Sequence, residues 1–286
     1  MAEDLGIARS YGSYETLLED GDLDAVYNPL PNALHDEWTR KAADAGLHVL
    51  CEKPLAGEAE GAADLHDYCE DQGVTLMEAF MYRFHPRTER AAEIVATELD
   101  DVRSVDAEFS FALRGRPDDI RLDPDLAGGS VMDVGCYAIS AARMVLGEPD
   151  RVYATTTDTR DSGVDTAMAG VMEFDDGATA RIASGFDTTL NQYYRVEATN
   201  GWLEVDHAFD VGPDEETTLE YEIDGRRGVE TFEPVDQYRL EVEAFADSVA
   251  AGTEPRIDAL ETWGNMRAID AVYQSAAEDR PVDLSD

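Results

Sequence analysis

The sequence predicts two halves: an α/β half built on a parallel sheet, and an α+β half around a large, mostly antiparallel sheet. Three observations carry this. Up to about residue 82, short apolar runs alternate with stretches of helical periodicity. From Val102 onward, consecutive segments alternate apolar with polar residues or are rich in β-branched side chains. Turn signals such as Asp175-Asp176-Gly177 and Asn200-Gly201 separate those segments closely enough for hairpins. Strands spaced by helices imply β-α-β units with right-handed crossovers. The division falls between 82 and 83, giving segments 1–82 and 83–286.

Residues 2–5 read as the tail of a helix capped by Gly6. Asp24–Asn28 is a short apolar strand that ends in Pro29-Leu30-Pro31. Asn32–Ala45 has helical periodicity and stops at Gly46, a residue suited to the position after a helix. His48–Cys51 is the next strand, closed by Glu52-Lys53-Pro54. A helix over Glu58–Asp71 stops at Gly73, and Val74–Glu78 is a third strand. The second half reads as strands over Val102–Phe111, Val152–Thr157, Ala167–Phe174, Ala178–Phe186, Tyr193–Thr199, Leu203–Val205 and Thr218–Ile223. Its helices are expected over Asp133–Leu146, Gln237–Ala251 and Asp258–Ala277.

Composition narrows the function. The 286 residues include 63 acidic and 22 basic ones, a formal net charge of −41. Nucleic acid and anionic membrane are excluded as partners, because both need a basic surface. Disorder is excluded too, since 43% of the residues are hydrophobic and fall in periodic runs. Only two cations are lysine, Lys41 and Lys53; the other 20 are arginine. So many carboxylates with so little lysine suit a cytosol at molar salt, where the screening length falls to about 3 Å. Cys51, Cys69 and Cys136 form no C-x-x-C pair, and the five histidines show no ligand spacing, so no metal is expected. No apolar run approaches the length of a membrane span and no leader pattern is seen, which points to a reducing cytoplasm.

Three stretches carry chemistry. Lys53 lies at the carboxyl end of a parallel strand, where open α/β sheets bind their ligands. A lysine there can lower a neighbouring hydroxyl's pKa, polarise a substrate oxygen, act as a base, or simply be a surface residue. In Gly128-Gly-Ser-Val-Met-Asp133-Val-Gly-Cys-Tyr137, a helix starting near Asp133 puts Asp133 and Tyr137 one turn apart on one face. Tyr137 can then serve as a general acid or base, or be a half-buried core residue above a capping aspartate. The third stretch, Met77-Glu-Ala-Phe-Met-Tyr-Arg83-Phe-His85-Pro86, is the junction of the halves, with Arg83 and His85 able to face the cleft. No G-x-G-x-x-G occurs anywhere.

Together these stretches resemble the glucose-fructose oxidoreductase / inositol dehydrogenase / MocA (Gfo/Idh/MocA) family, in its D-xylose dehydrogenase and dihydrodiol dehydrogenase branch. The resemblance implies a Rossmann domain followed by an open-sheet domain used for dimerisation, hence a homo-oligomer. It implies NADP or NAD as cofactor and a sugar as substrate, oxidised at C1 of an aldose such as D-xylose. A trans-dihydrodiol or another polyol is the rival substrate, and a non-catalytic remnant the rival class. It makes Lys53 catalytic and Tyr137, where many members place histidine, the proton acceptor. Asp133 orients the substrate or the tyrosine, and Pro29, Glu52, Lys53 and Arg83 approach the nicotinamide half of the cofactor. The family's first strand, glycine-rich turn and second strand have no counterpart here. The expectation is therefore an N-terminally truncated, haloarchaeal form that holds the dinucleotide poorly.

Overall fold

The computed structural model describes residues 6–116 and 118–285; the expected helix tail at 2–5 lies outside them. The chain opens with a short helix, α1 (Tyr14–Leu18), whose cap Ser13 accepts the Thr16 N–H. Strand β1 (Ala25–Asn28) follows, then a 3₁₀ turn over Asn32–Leu34 that leads into α2 (His35–Asp44). Strand β2 (His48–Glu52), helix α3 (Ala59–Asp71) and strand β3 (Leu76–Ala79) complete the first half. β1, β2 and β3 form a parallel sheet in that order, in register from Ala25 opposite His48 to Glu52 opposite Ala79. All of β3 and the middle of β2 are buried, as expected of parallel strands covered on both faces. Both helix stops read from the sequence are found: Gly46 and Gly73 have φ of +77° and +72°, where a side chain would be strained.

After a 3₁₀ turn at Met81–Phe84 comes α4 (Pro86–Thr97), capped by the His85 ring and started by Pro86. The second half continues with β4 (Val102–Ala112), a π-helical turn over Val131–Gly135, and α5 (Cys136–Leu146). Six strands run on: β5 (Arg151–Thr157), β6 (Ala167–Glu173), β7 (Thr179–Gly185), β8 (Asp187–Ala198), β9 (Gly201–Asp206) and β10 (Thr217–Ile223). β11 (Arg226–Phe232), α6 (Gln237–Ala251), α7 (Ala259–Glu278) and β12 (Val282–Asp283) end the described chain.

The nine strands β4–β12 form one sheet, in the order β11-β10-β9-β8-β4-β7-β6-β5-β12. Only β4 and β7 pair in parallel; the other pairings are antiparallel. The helix expected from Asp133 is corrected in its first turn. Val131–Gly135 winds as a π turn, and α-helical pairing begins at Cys136.

α4, α5 and α7 pack on one face of the large sheet, and a single apolar core runs through both halves. α7 straps the halves together. Its Asp270 carboxylate accepts the Ala59 N–H at 2.8 Å, satisfying a donor at the start of α3 that the cap Glu58 leaves open. Its Glu261 takes Arg83 at 2.9 Å and Arg143 at 3.3 Å.

Candidate active site

A cleft of about 770 Å³ opens where the carboxyl ends of β1 and β2 meet β4 and the π turn. Pro29, Glu52 and Lys53 line it from the ends of the parallel strands, and Asp133, Val134 and Tyr137 from the π turn and the start of α5. Phe109, Phe111 and Leu190 line it from the large sheet, and Asp210 and Tyr238 from the segments after β9 and β11. The strand-end rule thus places Lys53 correctly: β2 delivers it to the cleft and not to bulk water.

Lys53 is held tightly. Its Nζ donates to the Asp133 carbonyl oxygen at 2.7 Å and pairs with Asp133 Oδ1 at 3.4 Å. The same ammonium lies 5.1 Å from the centre of the Tyr137 ring. Burial pulls its pKa down, but Asp133, Cys136 and Glu52 outweigh that and hold it above the ordinary lysine value. These surroundings favour the charged form of Lys53. The other Asp133 oxygen accepts Arg121 Nε at 2.7 Å, and Arg121 also pairs with Asp119 at 3.2 Å.

Tyr137 is almost fully buried in an aromatic cage. Phe80, Tyr82, Phe109 and Phe209 have ring centres 5.4–5.9 Å from its own. Its hydroxyl points to Met81 Sδ at 3.3 Å. Burial, reinforced by Glu52 and other acidic neighbours, pushes its pKa well above that of a free phenol. Next to Glu52, the half-exposed Tyr27 donates its hydroxyl to that carboxylate, and partial burial followed by the Glu52 charge raises its pKa as well.

The structure thus gathers Pro29, Glu52, Lys53, Asp133 and Tyr137 around one cavity. Arg83 is not among its lining residues; it forms its ion pair with Glu261 of α7 instead. His85 also turns away from it, its Nδ1 accepting the Arg87 N–H at 3.0 Å as the cap of α4. Sequence reasoning missed Arg121, Tyr27, Asp210 and Tyr238. Arg121 sits in a loop without periodicity, and Tyr27 reads only as an ordinary strand residue. Among the described residues, no cluster of three or more His, Cys, Asp or Glu side chains could hold a metal.

Comparison with known proteins matches the two halves to two domain families. Residues 1–80 match the profile of an oxidoreductase family with an NAD-binding Rossmann fold, and residues 88–204 match a GFO/IDH/MocA C-terminal domain. The chain is 63% identical to D-xylose 1-dehydrogenase (NADP(+)) 2 of Haloferax volcanii, over 99% of its own length and 87% of that protein's. It belongs to the Gfo/Idh/MocA family of oxidoreductases. Two solved Gfo/Idh/MocA relatives are also close in shape. Aldose-aldose oxidoreductase from Caulobacter crescentus, complexed with glycerol, has a TM-score of 0.90 at 31% identity, covering 99% of this chain and 87% of that one. A 3-ketoreductase from Actinomadura kijaniata, in complex with NADP and TDP-benzene, has a TM-score of 0.89 at 30% identity, covering 96% and 84%.

Proposed function

We propose that this chain is an NADP-linked aldose 1-dehydrogenase that oxidises the C1 hydroxyl of D-xylose or a similar sugar to the lactone. The observation that carries the reading is the convergence of Lys53, Asp133 and Tyr137 on one cleft, supported by the high identity to the Haloferax enzyme. Pro29, Glu52 and Lys53 at the strand ends suit the nicotinamide end of the dinucleotide: an apolar ring face, a hydrogen-bond acceptor and a fixed cation. A nicotinamide held there by Pro29, Glu52 and Lys53 would supply the hydride acceptor for C1. Tyr137 takes the hydroxyl proton. The Lys53 ammonium stabilises the developing oxyanion, whether on sugar or tyrosine. Arg121 and Asp133 hold the lysine's surroundings and offer a donor and an acceptor to sugar hydroxyls.

The test is reduction of NADP⁺ with D-xylose in molar KCl, followed as NADPH absorbance. Lys53→Ala is expected to lower kcat by about 10²–10³-fold, as for loss of one donor to a reacting oxyanion. A folded Lys53→Ala protein with normal kcat would remove Lys53 from the chemistry. The apolar wall of Phe109, Phe111 and Leu190 supports a second reading, a trans-dihydrodiol substrate. The ratio of kcat/KM for the two substrates decides between them.

A homo-oligomer is part of the same proposal. The face of the large sheet turned away from the helices exposes Tyr153, Ala169 and Val171 on the neighbouring strands β5 and β6, with Arg181 beside Val171. Light scattering in molar KCl should give at least two chains per particle, and Val171→Arg should reduce that to one. A single-chain mass for the unsubstituted protein rejects it. Among the described residues no helix is long and apolar enough to cross a membrane. We place the protein in the cytoplasm, where the buried thiols Cys51, Cys69 and Cys136 stay reduced, and cell fractionation checks this.

A further inference from the structure

The lysine is anchored on a backbone carbonyl, and that carbonyl lies in an irregular turn. Where π-helical pairing over Val131–Gly135 passes into the α-helix from Cys136, one carbonyl more than N–H groups is left at the junction. Asp133 O lies in that stretch and accepts Lys53 Nζ. The position of Lys53 therefore depends on the turn keeping a winding that is intrinsically less stable than an α-helix.

What holds the winding comes from the loop between β5 and β6. Asp165, 8% exposed, accepts the Val131 N–H at 2.9 Å and the Ser130 hydroxyl at 2.7 Å on Oδ2. Its Oδ1 accepts the Tyr273 hydroxyl of α7 at 2.8 Å, and its backbone carbonyl accepts the Ser130 N–H at 2.8 Å. Hydrogen bonds to a carboxylate in such surroundings are the strong kind. Ser130 Oγ also lies 2.9 Å from Ser184 Oγ of β7. Gly129, at φ +120°, gives the carboxylate its room: a Cβ there would come within 2.3 Å of Asp165 Oδ1. Ser130 and Val131, at the start of the turn, are thus held to the β5–β6 loop, to β7 and, through Asp165, to α7.

We propose that Asp165 is a positioning residue for Lys53, acting through the π turn that presents Asp133 O. The catalytic consequence rests on the reading of Lys53 given above; the tether itself does not. The composition supplies a direct probe, because the chain has only Lys41 and Lys53. Lys41 is on the exposed side of α2, paired with Glu37, and serves as an internal reference.

The experiment labels the full chain, in molar KCl, with an amine-acylating reagent and follows each lysine by peptide mass spectrometry. In the unsubstituted protein Lys53 should react far more slowly than Lys41. Asp165→Ala should speed Lys53 labelling by about tenfold or more with Lys41 unchanged, as expected for a local opening. Gly129→Ala should do the same by displacing the carboxylate. Asp165→Asn keeps one carbonyl oxygen and should fall between, whereas Tyr273→Phe spares the bonds to Ser130 and Val131 and should label normally.

Val196→Ala in β8, chosen to match any loss of melting temperature, separates tethering from general loosening. Lys53 labelling that stays slow in Asp165→Ala, or that speeds up equally in Val196→Ala, overturns the proposal. In parallel, kcat for sugar oxidation by Asp165→Ala should fall about a hundredfold, as for a misplacement of 1 Å, with KM for NADP⁺ little changed. Faster labelling with an unchanged kcat would keep the tether and instead discard Lys53 as a catalytic group.

Discussion

Tyr137→Phe is expected to lower kcat/KM for sugar oxidation by about 10²–10⁴-fold while the protein stays folded, the usual contribution of a positioned proton acceptor. The substitution is sterically mild. The ring sits among Phe80, Tyr82, Phe109 and Phe209, a cage that accepts phenylalanine as readily as tyrosine. The hydroxyl's partner is Met81 Sδ, a weak acceptor that suffers little when left alone. The pH profile adds a second signature. Burial raises the tyrosine's pKa, so near neutrality only a small fraction is tyrosinate, and that fraction grows as pH rises. The unsubstituted enzyme should therefore oxidise sugar faster with rising pH, and the phenylalanine variant should keep a low, nearly flat residual rate. A variant retaining both rate and slope would move the proton transfer to another group.

Transfer from molar KCl to dilute buffer is expected to unfold the protein. With 63 acidic against 22 basic residues, ion pairing can neutralise only a minority of the carboxylates, however well the arginines are used. The arginines are used well: Arg90 alone reaches Glu93, Glu98 and Glu230, and Arg195 takes both Glu197 and Glu204. The surplus repels itself over the screening length, which is about 3 Å at 1 M salt and about 30 Å at 0.01 M. At low salt every surface carboxylate feels many others, and the compact state carries that cost while the expanded chain escapes it. Circular dichroism across a KCl series should show cooperative loss of structure as salt is removed, and recovery on its return. A full spectrum in dilute buffer at neutral pH would show that the acidic surface is tolerated for some other reason.

The strand–helix alternation of the first half was readable because each apolar run is bounded by glycine or proline, and the structure matches β2 and α3 closely and has the glycine stops after α2 and α3. α6 coincides with the expected Gln237–Ala251. Other elements gave no usable signal. α4 begins at Pro86, which reads as a breaker until His85 is seen capping the helix. β11 is an edge strand with charged residues and no buried position, so alternation does not mark it. The π turn differs from an α-helix by one residue of pairing, too little to disturb an apolar pattern five residues long.

The same contrast holds at the site. Lys53, Asp133 and Tyr137 occupy a strand end and a helix start, positions that sequence punctuation marks. Arg121 approaches Asp133 from a loop whose path only the folded chain defines, and Arg83 is claimed by a helix almost two hundred residues away. Long-range partners of this kind leave no local trace.

The strap formed by α7 also sets an order of events at the ribosome. The Ala59 N–H meets its carboxylate only when Asp270 emerges, 211 residues later. At the usual pace of synthesis that is a wait of about 10–40 s. Throughout it the nascent parallel sheet has its strands but neither the last helix against α3 nor the ion pairs of Glu261. The early half is thus made first and finished last, and in the interval chaperones have apolar surface to recognise.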